Sequence, residues 1–505
     1  MKILSTKQLQ AFDSTVITSG TYTEVEMIHK AGEALAKALK KTCPSSQPLY
    51  FLCGTGKNGA DALVSAQILS KGGYNCHILI VHFSEKNHPV FTAILEDLQK
   101  VSIQVEHINS ISSFPDLPSK SVIIDALVGT GISRASTGLL SEVISKINAL
   151  SNKRIISVDL PSGLSAEGEK FGGVVVEADN TMTLEFPKLA LMMADNYKYA
   201  GNWQLLELGI DKKFSRPPVT PYLYIDMEIV TAISEKLRRK KFSHKGDFGH
   251  PIVIAGSKGK VGAAVLCAKA CLRSGAGLVT CYSPKCGYNI IQTSLPEVMV
   301  SLDPDENHLS ALEVNLNKNN CGVIGPGIGM DPKTIDVFPE LLKKLNVPLV
   351  VDADALNIIS TNIALLELLP KQSILTPHPK EFARLVGQSN SSAEQLEKQI
   401  NFSKRYQQVL ILKGAHTSIA FPNGDVFFNS TGNPGMSIAG SGDVLSGIIG
   451  AFLAQGLSSE DASILGVFVH GMAGDLTTKR LGEIGIIAND IIDSLPLALN
   501  ILISK

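Results

Sequence analysis

A chain of 505 residues, 44% hydrophobic and 18% charged, is long enough for two α/β domains with separate cores. Its net charge of −1 excludes a global field that would draw it to nucleic acid or an anionic membrane. No run approaches the roughly 18 apolar residues of a membrane span. The first twenty residues hold no unbroken apolar stretch, so a secretory leader is not expected, and eight scattered cysteines without a CxxC pair fit a reducing cytoplasm.

In chain order, the first half alternates short apolar runs with helical patterns. "LYFLCG" (49–54), "CHILIV" (76–81), "SVIIDALVGTG" (121–131) and "RIISVDLPSG" (154–163) read as buried parallel strands. "DALVSAQILSKGGY" (61–74) has helical spacing and ends at glycine. A seam follows at 212–226, where Pro217, Pro218 and Pro221 stop regular structure. "EKLRRKKFSHK" (235–245) is the densest positive cluster, readable as a solvated helix end or as a rim for a phosphorylated ligand. The second half repeats the alternation with "PIVIAGS" (251–257), "GLVTCYS" (277–283), "CGVIGPGIG" (321–329), "PLVVDADALN" (348–357), "SILTPH" (373–378) and "VLILKGAH" (409–416). Cys267 and Cys271, one turn apart in an Ala/Val/Leu helix pattern, read as buried thiols. The expected architecture is α/β throughout, with helices on both faces of each sheet.

In open parallel sheets ligands bind beyond the carboxyl ends of the strands, and the glycines, acids and histidines cluster there. "NPGMSIAGSGDVLSG" (433–447) sets Gly440 and Gly442 before Asp443, the only charge between Asp425 and Glu460. A helix amino end beside glycines suits an anionic phosphoryl group. Asp443 reads either as a helix cap or as a base that takes a hydroxyl's proton while its oxygen attacks phosphorus. "GPGIG" (325–329) permits close backbone approach or is a plain turn. Asp352 and Asp354 bind a metal through water or cap the next helix. His378 ends a strand before a proline, and "KGAHT" (413–417) offers amides and Lys413 to a nucleotide. In the first half, "CGTGKNGADALVSAQIL" (53–69) is a strand, a Gly/Asn loop and a helix, but neither a P-loop nor GxGxxG. Asn58, Asp125 and Ser162 place one charge among neutral oxygens, which suits a monovalent cation better than zinc. Asp159 is an acid/base candidate, with helix capping the alternative for it and for Asp125.

These motifs, in this order, resemble one known arrangement. The first half resembles the NAD(P)H-hydrate epimerase domain. "SHKGDFGHPIVIAGSKGKVGAAVLCAKACLRSGAGLVT" (243–280), "GPGIG", "VVDADALN", "LTPHPKEFARL", "LKGAHT" and the 433–456 stretch resemble the ADP-dependent NAD(P)H-hydrate dehydratase, a ribokinase-like fold. The resemblance implies a Rossmann-like three-layer domain over 1–215, a linker over 216–242 and a ribokinase-like domain over 243–505. It implies repair of NADH and NADPH hydrated at C6 of the nicotinamide ring (NADHX, NADPHX). The R and S epimers interconvert, and the S form is dehydrated at the expense of ADP, giving AMP and phosphate.

By that resemblance Ala263, Gly327, His378 and Asp443 bind the hydrate in the second half. Lys413, Gly414, Ala415, His416, Thr417 and Gly442 contact the nucleotide, with Mg²⁺ neutralising it. In the first half, Lys57, Asn58, Gly59, Ala60, Asp61, Gly129, Thr130, Gly131, Ile132, Ser133, Arg134, Ala135 and Asp159 bind the hydrate. Asn58, Asp125 and Ser162 ligate K⁺, Asp159 is the acid/base, and the chain is a homo-oligomer, a tetramer or larger. The first half departs from its family's GxGNNGGDG loop at Lys57, Ala60 and Ala62. An alanine does not take positive φ as freely as glycine, and its methyl is expected to crowd a phosphate that Lys57 would compensate by pairing with it. His29 stands where the family commonly has Glu. Two rival readings remain open, a ribokinase-like small-molecule kinase and an active dehydratase carrying a non-catalytic nucleotide-binding module.

Overall fold

In strand β1 (Leu49–Cys53) every residue is buried, and alternate side chains leave in opposite directions. Leu49, Phe51 and Cys53 enter one core with the helices Glu24–Thr42, Lys57–Lys71 and Pro89–Leu98. Tyr50 and Leu52 enter another with the helix Gly138–Ala149. A strand buried on both faces is why its sequence is continuously apolar rather than alternating. The computed structural model describes residues 1–98, 103–132, 134–151, 153–168, 171–210, 217–311, 313 and 319–503. They divide into two units, Met1–Tyr222 and Leu223–Lys505.

The first unit's sheet adds β2 (Cys76–Val81), β3 (Gln104–Ile108), β4 (Val122–Ala126), β5 (Arg154–Val158), β6 (Asn180–Leu184) and β7 (Asn202–Leu206). They lie in the order β3-β2-β1-β4-β5-β6-β7, with every pairing parallel. From β1 the chain runs outward to β2 and β3, then returns to β4 on the other side. That reversal opens a crevice beyond the carboxyl ends of β1 and β4, where the helix carrying Asn58 begins and where Asp125 ends its strand. The runs expected as strands are β1, β2, β4 and β5. The sequence reading missed β3, β6 and β7, which carry polar residues along their length; β3 is a largely uncovered edge.

The second unit's sheet comprises β8 (Tyr222–Tyr224), β9 (Pro251–Ile254), β10 (Thr280–Ser283), β11 (Met299–Leu302), β12 (Cys321–Ile324), β13 (Leu349–Val351), β14 (Ile374–Leu375), β15 (Val409–Leu412), β16 (Ser418–Ala420) and β17 (Val426–Phe428). The order is β11-β10-β9-β12-β13-β14-β15-β16-β17-β8. It is parallel from β11 to β15 and antiparallel through β16 and β17. Here too alternate residues divide between cores: Ile252 and Ile254 face one, Val253 and Ala255 the other. The reversal of strand order falls between β9 and β12 and opens the equivalent crevice. The stretch 216–242 contains β8 and the helix Met227–Ser234. Three side chains of the positive cluster beside it have partners within the protein. Lys236 pairs with Asp461 at 2.6 Å, Arg238 with Glu235 at 2.7 Å, and Arg239 lies 4.0 Å from the Phe248 ring centroid.

The glycines around Asp443 do two jobs. Gly440, at φ 86, is the N-cap of the helix Ser441–Ala454 and turns the chain through a left-handed conformation. Gly447 lets that helix sink against the helix Val261–Arg273, where a methyl would stand 2.3 Å from the Cys267 carbonyl oxygen. Cys271 Sγ lies 3.2 Å from the Gly447 carbonyl in the same contact, and both cysteines are buried thiols, as expected. Among the described residues no helix is long and apolar enough to cross a membrane. Gly447→Ala should therefore destabilise the second unit by about 1–3 kcal/mol, the usual cost of overpacking. Denaturant unfolding followed by a probe in that unit would show a lowered midpoint at unchanged slope.

Candidate active sites at the two switch points

In the second unit, Asp443 is the third residue of the helix Ser441–Ala454. The cap position belongs to Gly440, so the capping reading of Asp443 is corrected. The carboxylate is half-buried at the amino end of an otherwise apolar helix. Burial pushes its pKa up to about 7, neighbouring Asp352 pushes the same way, and Lys413 opposes them. A carboxyl at that value changes protonation state near neutrality, which a general base requires.

Beside it lies a built charge triangle. Asp352, 1% exposed at the end of β13, accepts from Lys413 Nζ at 2.9 Å and from Ser446 Oγ at 2.7 Å. Asp352 holds the N-cap position of the helix Ala353–Thr361 but makes no capping bond, so its carboxylate serves the triangle instead. Burial lowers the Lys413 pKa, and Asp352, Glu381 and Asp443 more than reverse that, leaving it raised and the ammonium charged. A methyl at Gly442 would lie 3.3 Å from Lys413 Nζ and 3.7 Å from Asp352 Oδ2. Glycine leaves the helix's first turn open over this pair, which a side chain would stand over. Asp354 accepts from Gly329 N at 2.9 Å and from Lys260 Nζ at 3.1 Å. Gly327 and Ala263 meet across the crevice, for a methyl on Gly327 would lie 3.0 Å from Ala263 Cβ.

His378 caps the helix Pro379–Val386, its Nδ1 accepting from Lys380 N at 3.1 Å and Glu381 N at 3.3 Å. That fixes the proton on Nε2, which faces Glu381 Oε1 at 3.4 Å. Burial, then Lys413 and Arg384, hold the His378 pKa below the usual imidazole range. In the 413–417 loop, Lys413 N donates to Pro377 O at 3.0 Å and Gly414 N to Thr417 Oγ1 at 3.2 Å. Those two amides are committed within the protein, while Ala415 and His416 form the tip of the turn. Sequence reading missed Ser446, Glu381 and His470. His470 Nε2 lies 3.2 Å from Ser441 Oγ, and burial pushes its pKa down to about 4. The signal for it was a lone histidine in the apolar run "GVFVHGMAG".

In the first unit, Asp125 is fully buried. It accepts from Ser162 Oγ at 2.6 Å, Ser157 Oγ at 2.7 Å, Ser162 N at 2.9 Å and Leu127 N at 3.3 Å. All are neutral donors, and burial raises its pKa despite them. It caps no helix, and neither does Asp159, which takes the left-handed region at φ 67 and pairs with the buried Lys188. Asn58 Nδ2 donates to Val158 O at 3.3 Å. A methyl at Gly129 would lie 3.3 Å from both Asn58 Oδ1 and Asp159 Oδ2, so these three converge.

From Gly129 through Thr130, Gly131, Ile132, Arg134 and Ala135 the chain is a loop, partly or fully exposed; Ser133 lies outside the described residues. Thr6 Oγ1, from the helix Thr6–Thr18, reaches Thr130 O at 3.3 Å. The concern over the altered glycines is corrected. Ala60 and Ala62 lie inside the helix Lys57–Lys71 with their methyls in the core, where alanine is the favoured residue. Gly59 is the position with no room, since a methyl there would stand 1.8 Å from Gly54 O. Lys57 is paired with Glu24 at 2.6 Å. Asp61 is 6% exposed, its Oδ1 has no hydrogen-bond partner among the described residues, and burial, then Asp159 and Asp13, drive its pKa well up. Asp13 and Lys188 were not anticipated. Lys188 is a single charge in the apolar run "FPKLALMM", and Asp13, whose pKa burial raises, stands on the helix Thr6–Thr18.

Residues 252–497 match the protein family described as NAD(P)H-hydrate dehydratase, and residues 24–190 the family described as YjeF-related protein N-terminus. The bifunctional NAD(P)H-hydrate repair enzyme Nnr of Moorella thermoacetica is 33% identical over 518 residues, covering 99% of this chain and 97% of that one. Its counterpart in Escherichia coli K12 is 33% identical, with 94% of this chain and 89% of that one covered. A crystal structure described as ADP/ATP-dependent NAD(P)H-hydrate dehydratase from Bacillus subtilis, co-crystallized with ATP/Mg²⁺, is 29% identical. It covers 55% of this chain and 98% of its own, at a TM-score of 0.48.

The Asp443 carboxyl, at about 7 in the folded chain, stands well above its unfolded value of about 3.9. Between those values the folded chain holds a proton that the unfolded chain has released, so stability falls as pH rises through the window. Asp443→Asn, which does not ionise, should match the wild type near pH 4. At pH 8 it should melt higher by at least about 2 °C, the shift roughly 1 kcal/mol gives in a large domain. Melting curves at the two pH values check this.

Proposed function

The chain belongs to the bifunctional NAD(P)H-hydrate repair enzymes, and from that premise we infer how its residues divide the work. The first unit interconverts the R and S hydrates of NADH and NADPH. The second dehydrates the S form with ADP, yielding NAD(P)H, AMP and phosphate. The observation that carries the second assignment is Asp443. It titrates near neutrality at a helix amino end, one residue from the glycine that uncovers Lys413.

The S hydrate lies between Asp443 and the Ala263–Gly327 contact, with His378 at the rim. Asp443 accepts the proton of the C6 hydroxyl as its oxygen attacks the terminal phosphorus of ADP, and AMP departs. The ring nitrogen's lone pair then expels phosphate from C6, and loss of a proton from C5 of the resulting iminium restores the 5,6 double bond. The Gly442 region and the 413–417 loop hold the nucleotide, and the Lys413 ammonium offsets its charge. Lys413 approaches phosphate only as far as its bond to Asp352 allows, which makes its ammonium a fixed point charge rather than a flexible arm. Among the described residues no cluster of three or more His, Cys, Asp or Glu forms a metal cage. That fits Mg²⁺ held by the nucleotide's phosphates, water and one or two carboxylates, where it would neutralise charge on the transferring group.

In the first unit, Asp159 moves the proton of the C6 hydroxyl as the N1–C6 bond opens. The ring recloses on the other face, and C6 inverts. Asp125, a buried carboxylate among neutral donors, fits a K⁺ site with Ser162 and Asn58 Oδ1, the cation supplying the missing countercharge. The docking-module alternative loses its motive because Ala60 and Ala62 are ordinary helix positions. Eight free thiols support the cytoplasm as the compartment, and assembly as a tetramer or larger belongs to the same reading.

Given pure S hydrate and ADP, the protein should release NADH, AMP and phosphate in equal amounts; a stable phosphorylated product would mean a kinase instead. Asp443→Asn should abolish NADH formation while ADP affinity stays within about tenfold, since the isostere removes the base and keeps the amides. A much larger loss of ADP binding would show that Asp443 serves the nucleotide rather than the hydroxyl.

A further inference from the structure

Lys188 is 1% exposed, and its partners are unusually selective. Its ammonium donates to Asp159 Oδ1 and to Leu184 O, the latter at 2.8 Å. The same Oδ1 takes the Leu184 N–H at 3.3 Å and faces the Thr183 hydroxyl at 3.5 Å. Three donors from the end of β6 and the turn after it thus converge on one oxygen. The other, Oδ2, is the atom that a Gly129 methyl would meet beside Asn58 Oδ1. The backbone reinforces this orientation. Asp159 N donates to Met182 O at 2.8 Å, and its φ of 67 is a conformation a non-glycine residue holds only when its surroundings impose it.

We propose that Lys188 is the positioning residue of the epimerisation: it locks Asp159 through Oδ1, so that Oδ2 alone faces the hydrate and carries the proton. This rests on the assignment of Asp159 as the acid–base group. With Lys188, Leu184 N and Thr183 all on Oδ1, that oxygen is fixed within the protein and sets which way the carboxylate turns. Burying an ammonium is costly unless it is paired and fully hydrogen-bonded, and a hydrophobic residue would fill this space at lower cost. The retained charge is therefore put to use in orientation. The contribution comes from outside the crevice floor, from a residue distant in sequence from the 57–61 and 129–135 stretches.

The test is interconversion of separated R and S hydrates without nucleotide, which leaves the second unit idle. Asp159→Asn is the control on the underlying assignment, and full activity in it would sink that assignment independently of Lys188. Lys188→Met should lower kcat at least thirtyfold while KM stays within threefold, because the hydrate's own contacts remain. In the double variant Asp159→Asn/Lys188→Met, kcat should equal that of Asp159→Asn alone, since Lys188 acts only through Asp159. If Asp159→Asn is inactive but Lys188→Met keeps wild-type kcat, or raises KM alone, or adds a further loss in the double variant, the positioning role is wrong. Should Lys188→Met fail to fold, Lys188→Gln, uncharged but still a donor, carries the same comparison with the same expected split.

Discussion

Asp443 is a carboxylate whose surroundings favour the neutral form, and the second unit is organised around that tension. Burial at the mouth of an apolar helix and a second acid, Asp352, raise its pKa; the Lys413 ammonium restrains the rise. Asp352 is itself held by hydrogen bonds from Lys413 and Ser446, so the charges near Asp443 are fixed before a ligand enters. Such preorganisation keeps an electrostatic site effective at the moment of reaction. The helix position follows from packing. Gly447 lets the 441–454 helix press onto the 261–273 helix, and Gly440 turns the chain into it.

The first unit solves a related problem with different parts. Its acid, Asp159, is held in a left-handed backbone conformation and tied to a buried ammonium through one oxygen. In the second unit, Ala353, which follows Asp352, also has a positive φ, 50. Both residues lie at a sheet's strand ends, Asp159 being the proposed acid itself and Ala353 following the acid that holds Lys413, where local strain is commonly retained for function. The two units share an organising rule, a crevice where strand order reverses. They differ in the lysine: Lys413 stands near Asp443 but bonds Asp352, whereas Lys188 pairs directly with Asp159.

Much of this was legible in the amino-acid order because the central strands are buried on both faces and read as unbroken apolar runs. The glycines and acids after β1, β4, β9, β12 and β13 marked the crevices for the same reason: a polar residue at the end of a buried strand needs a purpose. What was not legible depends on distance along the chain. Lys188 and Ser446 acquire meaning only from partners 29 and 94 residues away, and no spacing rule encodes that. Edge strand β3 and polar β6 and β7 lack the apolar signature. Ala60 and Ala62 misled because a loop motif was assumed where the helix had already begun, and glycine's conformational freedom has no role there.

The central claim is that the first-turn amides beside Asp443 hold the terminal phosphate of a nucleotide against the ring alcohol, whose proton the Asp443 carboxylate accepts. A crystal structure with ADP and the S hydrate, using Asp443→Asn to stop turnover, addresses it directly. The account predicts the β-phosphate within hydrogen-bond distance of the first-turn backbone around Gly442, with the C6 oxygen between that phosphorus and the side chain of residue 443. A diphosphate lying elsewhere in the crevice, with the 441–443 turn empty, would contradict it.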